Sequence, residues 1–287
     1  MGFEKPGVAP ERPLIYGTEK VGKSTCWWDW TVTLLKRGFD GTVFIMDTDK
    51  TYNKMADNLP GRDLVEKARK KDQVRLYQPF EMREALGYSK EIQADAKRHD
   101  LIVIDMLDWG WDEAQYLYIR EVHGEDPDEY FLKMRRAVKE ARERSDGKKG
   151  HKAEFGGQEG TDWTFITKVY KMWELPLTMR THADVIGVTS EKQLDENRGA
   201  TPEDLKKYRV ASGRAPAGQK GIGHRFDSVM RMTKRSNGQR QLTMIGDRGR
   251  EGIWAEKVGG RTLNIDDMPR AFAKRYLKDV AGWTVTR

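Results

Sequence analysis

Gly17, Thr18, Glu19, Lys20, Val21, Gly22, Lys23 and Ser24 match the spacing G-x-x-x-x-G-K-[ST]. The chemistry of that spacing is phosphate binding. Glycines let the backbone wrap closely enough for its N–H groups to face anionic oxygens, and a helix that follows adds the positive end of its dipole. In such a loop Lys23 is placed to reach the β- and γ-phosphates of a nucleoside triphosphate. The Ser24 hydroxyl is placed to ligate Mg²⁺, and Thr25 to touch the α-phosphate. ATP with Mg²⁺ is the ligand pair this pattern implies.

Magnesium also wants a carboxylate near the phosphates. Asp105 supplies one: Leu101-Ile102-Val103-Ile104 reads as a buried strand, and Asp105 closes it at the C-terminal end, where α/β sheets bind ligands. Hydrolysis needs a further group to orient or deprotonate water. Met106 follows Asp105, so that group must come from another strand, and Asp47 and Asp49 follow the apolar run Thr42 to Met46. Val185 to Val188 ends in Thr189 and Ser190, hydroxyls placed to sense a γ-phosphate by hydrogen bonding.

These groups need a scaffold that brings strand ends together. Short apolar runs at Leu14–Tyr16, Thr42–Met46, Val74–Tyr77, Leu101–Ile104, Val185–Val188, Ser228–Met232 and Gln241–Ile245 read as strands. Helix-like segments lie between them at Ser24–Lys36, Leu64–Lys71, Met82–Arg98, Pro127–Arg144 and Trp163–Arg180. This alternation predicts an α/β fold with a mostly parallel central sheet flanked by helices. Two glycine-rich, apolar-poor segments interrupt it, about 145–160 and 195–223, and are expected as mobile insertions outside the core.

The chain has 287 residues and a net charge of +7. From position 191 onward 21 Lys and Arg face 12 Asp and Glu, a net +9, which leaves 31 against 33, a net −2, before it. The excess is densest from Lys206 to Arg240, where Asp227 is the sole acid, and such a stretch points to a polyanionic partner. No apolar run approaches the roughly 18 residues of a membrane span. The N-terminal residues show no signal region, and the single cysteine, Cys26, allows no internal disulfide, so a cytoplasmic protein is expected. The five histidines lack metal-ligand spacing, and the nine tryptophans, with Trp27, Trp28 and Trp30 crowding one helix, read as packing residues.

Taken in order, the parts resemble the RecA-like P-loop ATPases. Val74 to Tyr77, the turn Gln78-Pro79, the helix from Met82 and the strand to Asp105 look like that family's strand, turn, helix and Walker B strand. The similarity is greatest to the short phage-encoded, Sak-type recombination ATPases. They carry a basic residue inside the loop, as Lys20 is here, and a Trp-containing helix before the sensor strand, as with Trp163 and Trp173. The resemblance covers about residues 12–252. It implies an ATPase core over 1–252, with an antiparallel C-terminal hairpin, and a C-terminal extension over 253–287.

The resemblance further implies that Asp49, in Asp47-Thr48-Asp49, replaces the family's catalytic Glu. It implies that Arg248 or Arg250 acts in trans on a neighbouring subunit's ATP, hence a homo-oligomer with ATP at subunit interfaces. The loops after the Walker B and sensor strands would face DNA, single-stranded in preference to double-stranded. Lys148, Lys149 and Lys152 would serve from the first, with Lys206, Lys207, Arg209, Arg214 and Lys220 from the second. Tyr208 would stack on a base. The expected activity is DNA-stimulated ATP hydrolysis in phage recombination, repair or replication. The alternatives are a nucleotide-gated DNA clamp, loader or regulator with little turnover, and a P-loop kinase acting on a small molecule.

Overall fold

The computed structural model describes residues 3–4, 9–144, 160–194, 200–265 and 272–285. Its centre is an eight-stranded sheet. The strands are β1 (Pro13–Gly17), β2 (Val43–Asp47), β3 (Val74–Tyr77), β4 (Leu101–Asp105), β5 (Asp184–Thr189), β6 (Ser228–Lys234), β7 (Arg240–Asp247) and β8 (Thr262–Asn264). Their spatial order is β8-β7-β6-β1-β5-β4-β2-β3. From β3 across to β6 every pairing is parallel, while β6, β7 and β8 pair antiparallel. The expected architecture, a mostly parallel sheet with antiparallel strands at the C-terminal end, is the one observed.

The parallel strands are covered on both faces, so they read as unbroken apolar runs: all five residues of β1, β2 and β4 are buried. Helices α1 (Lys23–Lys36), α2 (Tyr52–Asn58) and α3 (Arg62–Lys70) supply residues to the core cluster on one face. The other face carries α4 (Met82–Asp95), α5 (Leu107–Tyr118) and α7 (Gly160–Thr178), with α6 (Pro127–Arg144) between the last two in sequence.

Helix α5 was not legible in the sequence, because Trp109-Gly110-Trp111 looks like a break. Gly110 instead lets α5 pack closely on α7: a Cβ there would lie 2.0 Å from the Trp173 ring.

The expectation that 195–223 lies outside the core is corrected for its described part. Residues from 200 form α8 (Pro202–Lys207), whose capping box joins Thr201 and Asp204, followed by a strand Arg214–Pro216 paired with Glu191–Gln193. Tyr208, Ala211, Ala215 and Ile222 are buried in the second core cluster. Residues 145–159 and 195–199 lie outside the described residues. Beyond 252 the chain continues the same body. β8 extends the central sheet, and Phe272 and Trp283 pack on Trp30 at ring separations of 6.1 and 5.6 Å.

Candidate nucleotide site

The loop from β1 into α1 is shaped by backbone constraints. A Cβ on Gly17 would meet the Met232 carbonyl oxygen of β6 at 2.4 Å, so only glycine lets the strand end so close to its neighbour. Lys20 and Gly22 take left-handed φ values of 57° and 99°, and Gly22 caps α1 with no side-chain hydrogen bond. The positive end of α1 therefore faces the loop without a capping side chain of its own.

Thr18, Glu19 and Lys20 form an exposed lip, while Val21 anchors the loop in the core. Lys23 is almost fully buried, and its Nζ donates to the carbonyls of Gly17 at 3.1 Å and Thr18 at 2.8 Å. Burial lowers its pKa, opposed by the charges of Asp105, Asp108, Asp49 and Glu19. Thr25 Oγ1 donates to the Gly22 carbonyl at 2.5 Å.

Asp105 ends β4 and is completely buried. Trp27 Nε1, from the second turn of α1, donates to its Oδ2 at 2.8 Å, and Thr51 Oγ1 lies 3.4 Å from the same oxygen. Among the described residues no hydrogen-bond partner fills Oδ1. Burial raises the Asp105 pKa to about 6, against hydrogen bonds from Trp27 and Ser24 and with the charges of Asp47 and Asp49 adding to the rise. One tryptophan of the cluster read as packing is thus also a positioning residue for the carboxylate.

A buried carboxylate with an unfilled oxygen, beside the Ser24 hydroxyl and facing Lys23, has the donor set that Mg²⁺ with a triphosphate requires. No group of three or more His, Cys, Asp or Glu side chains suited to a metal occurs among the described residues. An ion here would depend on the nucleotide's own oxygens.

The two carboxylates at the end of β2 and just after it separate in role. Asp47 is buried and occupied: its Oδ1 accepts from Thr51 N at 3.0 Å, and its Oδ2 accepts from Tyr52 N at 3.0 Å and Gln78 Nε2 at 2.8 Å. Asp49 stands exposed at the rim, within reach of the Lys23 charge. Partial desolvation raises its pKa, with Asp47 and Asp108 adding and Lys23 and Lys54 opposing.

Asp108, absent from the sequence reading, joins this group from the first turn of α5. Its Oδ2 accepts from the Ser190 hydroxyl, its Oδ1 is buried without a partner among the described residues, and its charge acts on both Lys23 and Asp49. A helix starting just after Asp105 would have revealed it, and the glycine between two tryptophans hid that helix. Thr189 is fully buried at the end of β5, with its hydroxyl 3.4 Å from the Ala217 carbonyl, so Ser190 is the hydroxyl that meets the charged cluster.

The two arginines expected to act in trans lie at the other end of the sheet. Gly17 pairs with Met232 and Pro13 with Ser228, and Ser228 in turn pairs with Asp247, so Arg248 and Arg250 follow the edge opposite the phosphate loop. Arg250 is held internally. Its Nη1 and Nη2 donate to Glu11 at 2.9 and 2.8 Å and its Nε to Asp247 Oδ1 at 3.1 Å, while Tyr276 OH donates to the same Glu11 at 2.7 Å. An arginine so engaged is not placed to reach another subunit. Arg248 is exposed, and its side chain donates to the His224 carbonyl and, at 3.5 Å, to Asp227.

Of the basic residues expected to meet DNA, Lys148, Lys149 and Lys152 lie outside the described residues. Lys206, Arg209 and Lys220 are exposed; Lys207 lies over the Tyr208 ring, and Arg214 faces Glu191 at 3.8 Å. Tyr208 is buried edge-on to Tyr16, which corrects the expectation of a base-stacking side chain.

No protein family model matches the sequence, and no curated protein matches it. Among solved structures, the crystal structure of the RadB recombinase aligns with 92% of this chain and 91% of that chain, at 14% identity and a TM-score of 0.46. No helix among the described residues is long and apolar enough to cross a membrane.

Proposed function

We propose that this chain is a RecA-like ATPase that binds Mg-ATP and acts on DNA in recombination, repair or replication, in the setting of a phage. The observation that carries the reading is the convergence at one sheet edge of Lys23, Ser24 and Asp105, whose buried Oδ1 lacks a partner, with Asp49 and Asp108 beside them.

The triphosphate enters along the loop and the first turn of α1. Lys23 exchanges the carbonyls of Gly17 and Thr18 for β- and γ-phosphate oxygens, which relieves the cost of burying its charge. Ser24 and Asp105 would hold Mg²⁺, which would supply charge neutralisation on those oxygens. Trp27 keeps Asp105 aimed at that position. Asp49 orients the attacking water from the rim, with Asp108 the second carboxylate in range, and Ser190 rather than Thr189 reads the terminal phosphate.

DNA, single-stranded in preference to double-stranded, meets the exposed Lys206, Arg209 and Lys220, where contacts to phosphates give salt-dependent affinity without sequence reading. Subunits assemble with Arg248 as the remaining candidate for a contact in trans. The test is ATP turnover with and without single-stranded DNA. Stimulation that disappears at high salt, and in a Lys206→Glu/Arg209→Glu/Lys220→Glu variant, is expected; DNA-indifferent turnover contradicts the DNA role. A nucleotide-gated clamp is the second reading, favoured by the exposed, short-armed Asp49. Tight ATP binding with negligible turnover, with or without DNA, selects it.

A further inference from the structure

The β6–β7 turn brings a cation to the phosphate loop that neither the P-loop motif nor the carboxylate cluster accounts for. Arg240 opens β7, and its side chain crosses β6 to the loop. Its Nε donates to the Val21 carbonyl at 2.9 Å, over a sequence separation of 219 residues. A Cβ on Gly22 would lie 3.0 Å from that Nε and 3.4 Å from Thr25 Oγ1. The guanidinium therefore lies against the residue that caps α1 and next to its first turn. Its two Nη groups have no acceptor, and it makes no ion pair, among the described residues.

A half-buried arginine is thus held at the positive end of a helix, beside the loop that carries Lys23, with no ion pair among the described residues. Anchoring through Nε fixes the plane of the group and leaves the Nη donors as a fork, the geometry that matches phosphate oxygens.

The side of approach is informative as well. β1 separates β6 and β7 from β5 and β4, so Arg240 reaches the loop from one flank while Asp105 and Asp108 stand on the other. We infer that Arg240 is a nucleotide-binding residue in cis, donating to the phosphate chain near Thr25, on the flank away from the metal and the terminal phosphate. This rests on the nucleotide reading of the loop and adds to it a contact that ATP and ADP share.

The experiment is titration of wild type, Arg240→Gln, Arg240→Lys and Lys23→Ala with ATP and with ADP, alongside melting temperatures. Losing a charge-assisted hydrogen bond to phosphate should weaken both nucleotides by about 10- to 100-fold in Arg240→Gln. Arg240→Lys keeps a cation without the fork, and a smaller loss is expected for both nucleotides alike. Unchanged affinities with a lowered melting temperature would make Arg240 a strap between β7 and the loop and overturn the inference. A loss confined to ATP would overturn it too, by moving the contact to the γ-phosphate. If wild type binds neither nucleotide, the reading of the site itself fails; if wild type binds both and only the Arg240 variants match it, the inference alone fails.

Discussion

The nucleotide cluster depends on a few side chains held in costly states. Asp105 is buried with an empty oxygen, and Lys23 is buried against carbonyls that a triphosphate would replace. Trp27→Phe removes the indole N–H that orients Asp105. Loss of such a supporting hydrogen bond should weaken the apparent Mg²⁺ affinity by about 10- to 100-fold, read as a shift of the magnesium titration to higher concentration at saturating ATP. A loss of stability with no such shift would leave Trp27 a packing residue. Asp49→Asn and Asp108→Asn divide the catalytic assignment: the variant that lowers kcat while leaving ATP affinity intact marks the water-positioning carboxylate, and Asp49→Asn is expected to be that variant. If Asp49→Asn turns over normally and Asp108→Asn does not, the role passes to α5. The motif from Gly17 to Ser24 and the strand ending in Asp105 were legible because each is set by local sequence. Asp108 and Arg240 were not, the first because its helix was masked by Gly110, the second because its partner Val21 is 219 residues away.

At the scale of elements, the distal end of the β6–β7 pair is fastened to the segment before β1 by Glu11, Arg250, Asp247, Ser228 and Tyr276. Removing one partner of a largely buried ion pair leaves the other charge uncompensated, so Arg250→Ala should cost about 3–5 kcal/mol in denaturant unfolding. Arg248→Ala, at an exposed side chain, should leave stability unchanged within about 0.5 kcal/mol and lower turnover only in the assembled form. Equal stabilities for the two variants would contradict this division. The sequence placed both arginines in one basic turn and offered no means of telling them apart, since Glu11 and Tyr276 enter from the far ends of the chain. All seven strands read from apolar runs are present in the sheet, because strands covered on both faces need continuous apolar sequence. β8, three residues long with a single buried Leu263, carries no such signal.

For the whole molecule, the sheet divides the charge as well as the chemistry. The carboxylates near the phosphate loop come from the ends of β4 and β2 and from α5, while the basic excess lies after β5, from Lys206 through the following turns to Arg240. The stretch after 252 is part of this body, since β8, Phe272 and Trp283 complete the core around Trp30. Truncation after Gly252 should therefore expose that cluster and yield an insoluble or unfolded chain by circular dichroism, whereas a detachable extension would leave a folded, ATP-binding core. The most direct measurement is Mg-ATP hydrolysis by wild type, Lys23→Ala and Asp105→Asn, each shown to be folded by its melting curve. Turnover is expected in wild type alone, and equal turnover by wild type and Lys23→Ala would contradict the assignment of the loop as a catalytic nucleotide site.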